Sequence, residues 1–386
     1  MKKDITLRKA IPRDAAQIVD LYQSVYQGDY SDPMMSETAR LRAALGRDDY
    51  YWIVASIDDR IVGSVVYQHT LTGLAKVFGA VIDNDCRGQN LTERMMEFGY
   101  AQLRAIAHVE VVYATTRTIS SAPQKLTANL GYRKLGIFPN VHKTSGYETH
   151  CLTALFTKSA FDSRFTDFAL HPRLRPLFEI VRRECGLTAI PDDWIPHTSA
   201  ENFSRARSTL ELELIHAPRL TKRRFDEGKN TLVAQDHHTF FPFQEPNLLI
   251  SSADQDVEVF CYFSETDKHC VLIGIHDLCN AGFADIVEKA SVILQDLGVR
   301  YIEFIIRADE SEKIEIAMQA GFIPCAYFPA MHLIGAQRYD FVIFSRSYEI
   351  LNFRNIRLEG INREYLNQYL QLWKKNSLEP EPACAA

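Results

Sequence analysis

Long apolar runs are missing from this 386-residue sequence. No segment approaches the ~20 residues that a bilayer-spanning helix needs. The first residues, "MKKDITLRKA", hold two lysines with no apolar core behind them, so no secretory leader is expected there. Basic charge is not in excess. Lys and Arg number 43 against 49 Asp and Glu, a formal net charge of −6. That argues against a general nucleic-acid binder, while leaving room for a local basic pocket. The eight cysteines show no C-x-x-C and no Cys/His spacing suited to zinc, so no metal is expected. Cys86, Cys151, Cys261, Cys270 and Cys325 lie in or beside apolar runs. They read as buried free thiols, which places the chain in the reducing cytoplasm. There is also no G-x-G-x-x-G and no Lys-Ser/Thr closing a Walker-type loop, which removes two common phosphate motifs.

What is present is an ordinary globular composition, 46% hydrophobic and 24% charged. The length predicts two domains. "ITLRKA" reads as a strand, and "PRDAAQIVDLYQSVY" has helical apolar spacing, with Pro12 and Asp14 as start signals. "YYWIVASI" and "IVGSVVYQHT" are strand-like and joined by the turn "DDR". "LAKVFGAVID" is another strand, and a helix is expected from Leu91 to about Ala107. "VEVVYATT", "SAPQKLTANL" and "GYRKLGIF" follow as strand, short helix and strand. "HPRLRPLFEIVRREC" reads as a connecting helix, and "AIPDDWIPHTSAEN" as a linker or edge loop. The second half repeats the order of strands and helices, up to a final amphipathic helix over residues 363–374.

The halves also match residue by residue. A gapless shift of 190 positions lays Gly131-Tyr132-x5-Phe138-Pro139 on Gly321-Phe322-x5-Phe328-Pro329. The same shift pairs Asn90 with Asn280, Val112 with Ile302, Arg117 with Arg307 and Ser121 with Ser311. A duplicated domain is expected.

"AVIDNDCRGQNLTE" shows a strand breaking into a basic, Gly-containing turn ahead of a helix. A helix N-terminus offers unpaired N–H groups and partial positive charge, which suits an anion. Arg87 adds a fork of charged donors, and Gly88 allows close backbone approach. Asn90 tolerates a left-handed backbone better than other non-Gly residues. On its residues alone the stretch reads either as a pyrophosphate loop or as a plain turn with a surface arginine.

The first ~150 residues resemble the GNAT superfamily of acyl-CoA N-acyltransferases. The carrying residues are Arg87, Gly88, Gln89, Asn90, Leu91 and Thr92, which stand at the family's Q/R-x-x-G-x-G/A loop, and the late "SAPQKLTANLGYRKLGIF". The resemblance implies an α/β (α+β) fold of two GNAT-like domains, each a mixed, mostly antiparallel sheet flanked by helices. It implies acetyl-CoA as cosubstrate, with residues 87–92 at its pyrophosphate. Val81 and Ile82 would lie along the pantetheine arm, and Ser120 would touch it. The family's usual catalytic Tyr and Glu fall on Thr127 and Phe78. His69, chosen on residue type, and Tyr67, two residues earlier on the same strand face, are then the titratable candidates. In the second copy Asp277 replaces Arg87 and Gly282 replaces Thr92, so that copy reads as degenerate.

The expected organisation is residues 1–155 as the acetyl-CoA-binding N-acetyltransferase domain and 156–200 as connecting helix and linker. Residues 201–350 form the degenerate domain, and 351–386 a C-terminal helix and disordered tail. The expected activity is acetyl transfer to a primary amine of a small molecule or protein by direct attack in a ternary complex. The alternatives are a CoA-binding regulatory or interaction module with little chemistry, and an unrelated α/β enzyme using Cys86 as nucleophile.

Overall fold

The computed structural model describes residues 4–27, 33–144, 146–195, 210–232 and 243–378. Along the chain the elements are β1 (Thr6–Lys9), α1 (Ala15–Tyr26), α2 (Thr38–Leu45), β2 (Tyr50–Ile57), β3 (Arg60–His69), β4 (Leu74–Ile82), α3 (Leu91–Ala107), β5 (Val111–Arg117), α4 (Ala122–Asn129), β6 (Arg133–Lys143), β7 (Tyr147–Phe156) and α5 (Lys158–Asp162). They continue as β8 (Ala169–Leu170), α6 (Arg175–Cys185), β9 (Asp192–Asp193), β10 (Glu213–Ile215), α7 (Pro218–Leu232), β11 (Leu248–Ser251), β12 (Val257–Ser264) and β13 (His269–Asp277). The last are α8 (Phe283–Asp296), β14 (Tyr301–Arg307), α9 (Ser311–Gln319), β15 (Ile323–Ile334), β16 (Gln337–Ser347) and α10 (Asn362–Leu378). Among the described residues no helix is long and apolar enough to cross a membrane.

The chain divides into two compact units that are not contiguous halves. The first holds Met1–Thr115, Lys125–Tyr132 and Thr153–Asp162; the second holds Thr116–Gln124, Arg133–Leu152 and Ser163–Ala386.

In the first unit the strands run β1-β2-β3-β4-β5, antiparallel except for the parallel pair β4/β5. The turn from β2 to β3 places Asp58 and Asp59 both at positive φ, the geometry of a tight hairpin. α3 covers one sheet face, where Met95 and Leu103 pack with Ile53, Val65, Tyr67, Val77 and Val112. α1 and α2 cover the other, where Ile18, Tyr22 and Leu41 pack with Trp52, Val54 and Val66. Each such buried side chain contributes about 1.5–3 kcal/mol by leaving water.

In the second unit the strands run β7-β6-β15-β16-β14-β13-β12-β11-β10, again with one parallel pair near the centre, β13/β14. The helix read as a connector, α6, is part of this unit's core. Its Leu177, Phe178, Ile180 and Val181 are buried, and it packs on β6, β15 and α10. α10 spans more than its apolar spacing predicts and buries Tyr365, Tyr369 and Leu372. Part of the expected linker (196–200) and the tail (379–386) lie outside the described residues.

The 190-residue shift has a backbone counterpart. Left-handed residues recur in register: Asn90 (φ 52°) with Asn280 (56°), His108 (48°) with Gly298 (94°), Gly131 (82°) with Gly321 (81°), and Asn140 (63°) with Ala330 (50°). β4 and β13 each carry a register shift against the preceding strand, and each pairs with the following strand for three residues.

Candidate functional site

β4 and β5 pair only at Leu74/Val111, Ala75/Val112 and Lys76/Tyr113. Beyond Lys76 the two strands have no further paired positions, although β4 runs on to Ile82. Parallel strands that part in this way leave backbone N–H and C=O groups of β4 open to another partner.

Just there β4 bulges. Phe78 faces Val66 and Val81 faces Ser64, so Gly79 and Ala80 together oppose Val65. Gly79 sits at φ 62°, which glycine adopts at no steric cost. A Cβ at Gly79 would lie 2.8 Å from the Tyr22 hydroxyl. That hydroxyl donates to the Gly79 carbonyl, and Tyr26 Oη donates to the Ala80 carbonyl at 3.5 Å. The two tyrosine rings stack on α1, 6.2 Å between centroids. A tyrosine pair on one helix thus holds both carbonyls of the bulge.

β4 ends in a short turn. The Asp83 carboxylate accepts the Asp85 N–H at 3.0 Å and pairs with Arg60. Cys86 is buried and donates its N–H to the Asp83 carbonyl at 2.9 Å. Its packing in the α3-side core makes it an anchor of the turn, which weighs against a nucleophile there. Arg87, Gly88, Gln89 and Asn90 are all exposed. Gly88 is left-handed (φ 78°), and a Cβ there would meet nothing within 4 Å. Asn90 is left-handed too, and its side chain makes no capping hydrogen bond to α3. Leu91 is buried and starts the helix, while Thr92 is half-buried beside it. The first turn of α3 therefore carries helix-end N–H groups that Asn90 does not satisfy. Arg87 makes no ion pair among the described residues.

His69 and Tyr67 fall elsewhere on the first unit's sheet. His69 ends β3 opposite Ala75, with Nε2 3.0 Å from the Asp48 carbonyl. Along β4 that register is four residues from Gly79, roughly 13 Å. Tyr67 is fully buried on the α3 face, where its hydroxyl donates to the Met96 carbonyl at 2.6 Å. Burial raises its pKa well above the usual phenol value, with smaller contributions from Tyr132 and Tyr100. The structure brings neither side chain to the bulge. Tyr67 is a packing residue whose ring lies against Gly99, so close that a Cβ there would be 2.5 Å from it. Ser120 belongs to the second unit, and its Oγ accepts the Ala122 N–H at 3.2 Å, at the start of α4. Val81 is buried on the α1 face and Ile82 is half-buried. Gly79 and Tyr22 are the positions that sequence reasoning missed. A glycine inside an apolar strand was the available signal. Among the described residues no group of three or more His, Cys, Asp or Glu could hold a metal.

Residues 15–132 match the model of the Acetyltransferase (GNAT) family. This stretch is a GNAT acetyltransferase domain. The family transfers acetyl groups from acetyl-CoA, its cosubstrate. Among solved structures, the chain is similar to an acetyltransferase of the GNAT family from Streptococcus pneumoniae. The identity is 16%, covering 40% of this chain and 100% of that one, with a TM-score of 0.35. It is similar to the ribosomal-protein-S18-alanine N-acetyltransferase from Escherichia coli (19%, 40% and 94%, 0.35). A Salmonella typhimurium structure with its cofactor acetyl-CoA is similar too (15%, 39% and 93%, 0.36). At these identities and scores the family match carries the assignment. No curated protein matches. The GNAT domain's loop fits an anionic, extended cosubstrate: an open turn at Gly88, an exposed arginine, a helix end without a side-chain cap, and a parted strand beside them.

Proposed function

We propose that the GNAT domain transfers the acetyl group of acetyl-CoA to a primary amine. The observation carrying this reading is the β4 bulge at Gly79–Ala80, where β4 has left β5, followed directly by the turn to α3. In this reading Arg87, Gly88, Gln89, Asn90, Leu91 and Thr92 hold the pyrophosphate through backbone N–H groups and the Arg87 guanidinium. Backbone of Val81 and Ile82 aligns the pantetheine arm, and an N–H of this strand polarises the thioester carbonyl. The amine nitrogen attacks that carbonyl carbon as the C–S bond breaks, within a ternary complex. An ammonium cannot attack, so a proton must leave first. With His69 and Tyr67 engaged elsewhere, Thr127 buried and Phe78 apolar, solvent takes that proton.

We further propose that residues 201–350 are a degenerate second copy, joined to the first (1–155) through 156–200 and followed by a C-terminal segment (351–386). The recurring left-handed positions and the repeated order of elements support this. Asp277 at the place of Arg87 would disfavour a second pyrophosphate.

A CoA-binding module without chemistry is the second reading, favoured by Thr127 and Phe78 at the usual acid and base positions. The test is release of free CoA thiol from acetyl-CoA across a panel of amines, with binding measured in parallel. Binding without acetylation of any amine or peptide would leave only the second reading standing.

A further inference from the structure

The face of the first unit's sheet opposite α3 carries chemistry that the cosubstrate does not account for. On that face Tyr26, Met34, Tyr50 and Phe78 are only partly buried. They rest on a buried layer that includes Tyr22, Met35, Trp52 and Val66. Phe78 immediately precedes the bulge, and the Tyr26 hydroxyl reaches Ala80 within it. The rings are organised rather than scattered: Tyr22 stacks on Tyr26, and Tyr50 on Trp52 with 6.4 Å between centroids. The charges resting on this group are cationic. Lys76 Nζ lies 5.9 Å from the Phe78 centroid, and the Arg47 guanidinium lies 5.1 Å from that of Tyr50. Arg47 is paired with Asp49 at 2.8 Å.

We propose that the acceptor is a primary amine carried on an aromatic or bulky apolar body, seated on Phe78, Tyr26, Tyr50 and Met34. This rests on the acetyl-transfer reading, which sets the reacting carbonyl at the bulge next to Phe78. Helices cover both faces, but on the α1/α2 face these four side chains beside the bulge stay only partly buried, and the amine reaches the carbonyl past them. Flat aromatic walls reward an aromatic or broad apolar partner by offset or edge-on contact. A polyamine would instead place additional ammonium groups beside Lys76 and Arg47, where like charges repel. In the transfer, the N–C(acyl) bond forms and the C–S bond breaks. Sulfur leaves with the electron pair; one ammonium proton goes to solvent before attack, and the second proton that the acylated nitrogen sheds passes through solvent to the thiolate, giving free CoA thiol.

The test uses the full-length protein with acetyl-CoA and four acceptors: phenethylamine, tyramine, putrescine and spermidine. Released thiol gives kcat/KM for each. The aromatic monoamines should exceed the polyamines at least tenfold. Phe78→Ala should raise KM for phenethylamine about tenfold while KM for acetyl-CoA stays within twofold. The unchanged cosubstrate KM also certifies that the variant is folded, and Phe78→Leu should lie between the two. Equal kcat/KM for the two classes, or a preference for polyamines, would overturn the proposal and leave acetyl transfer standing. Binding of acetyl-CoA with no acceptor turned over would overturn acetyl transfer, and the proposal with it.

Discussion

Asn90 and Asn280 stand 190 residues apart and hold the same left-handed backbone, φ 52° and 56°. What differs is the residue three places earlier. Arg87 is exposed, without an ion-pair partner among the described residues. Asp277 instead turns its carboxylate onto its own loop, accepting the Ala281 N–H at 2.9 Å and the Gly282 N–H at 3.0 Å. The second loop thus supplies its own anion to its amides, while the first presents a cation to solvent.

Reversing these charges should have unequal effects. Arg87→Glu removes charge-assisted donors and adds repulsion, so CoA affinity should fall ten- to a hundredfold. Asp277→Arg should change it less than twofold. Isothermal titration of both variants decides; equal losses would mean that the one-loop assignment is wrong.

The left-handed backbone at Asn90 makes its own prediction. Asn90→Gly keeps that conformation freely and should leave CoA affinity and the urea midpoint nearly unchanged. Asn90→Val must strain the turn by about 1–2 kcal/mol. It should lower the midpoint and weaken CoA binding together. Wild-type behaviour from the valine variant would show that the turn does not need this conformation.

Gly79 should tolerate even less. In Gly79→Ala the new Cβ would meet Tyr22 Oη at 2.8 Å and Met35 Cε at 3.0 Å, on a backbone at φ 62°. A loss of at least ~1 kcal/mol in folding stability is expected, with a larger loss of acetyl transfer because the bulge must shift. Tyr22→Phe removes only the hydroxyl that holds the Gly79 carbonyl, and should cost about 1 kcal/mol. Urea denaturation and thiol release on the same preparations separate the two effects. A Gly79→Ala protein with full activity would remove the bulge from the proposed mechanism.

Much of this is legible in the sequence. Leu91–Ala107 is the helix that its apolar spacing predicts, and the Asp58–Asp59 turn is where the strand pattern breaks. The loop at 87–92 was legible because charge, glycine and helix start are local features. α2 and β7 were not. α2 buries only Leu41, Ala44 and Leu45. β7 buries Thr149 and Thr153 among apolar residues, which blurs its alternation. His69 and Tyr67 were chosen on residue type and strand position, and type does not reveal which sheet face or which end a side chain occupies. The bulge depends on pairing with Ser64 and Val66, a non-local register that no window of sequence contains.

α1, which carries the two tyrosines of the bulge, is tied down at its start by Asp14, and this makes stability pH-dependent in a definite direction. Burial pushes the Asp14 carboxyl upward. Hydrogen bonds from Arg8 and from the Ile11 N–H outweigh it and leave the pKa below the ordinary 3.8. The Arg8 contacts are 2.6 and 2.9 Å, and that from Ile11 is 2.8 Å. A carboxylate depressed in the folded state binds its proton more readily when unfolded. Its stabilisation is therefore complete above the unfolded value and disappears as pH falls through the lower folded one. Arg8 is partly exposed, so solvent screening limits the pair to about 1 kcal/mol. Urea midpoints for wild type and Asp14→Asn should differ at pH 7 and converge toward pH 3. A constant difference across that range would mean that Asp14 acts through packing, and a difference that widens on acidification would contradict the sign of the shift.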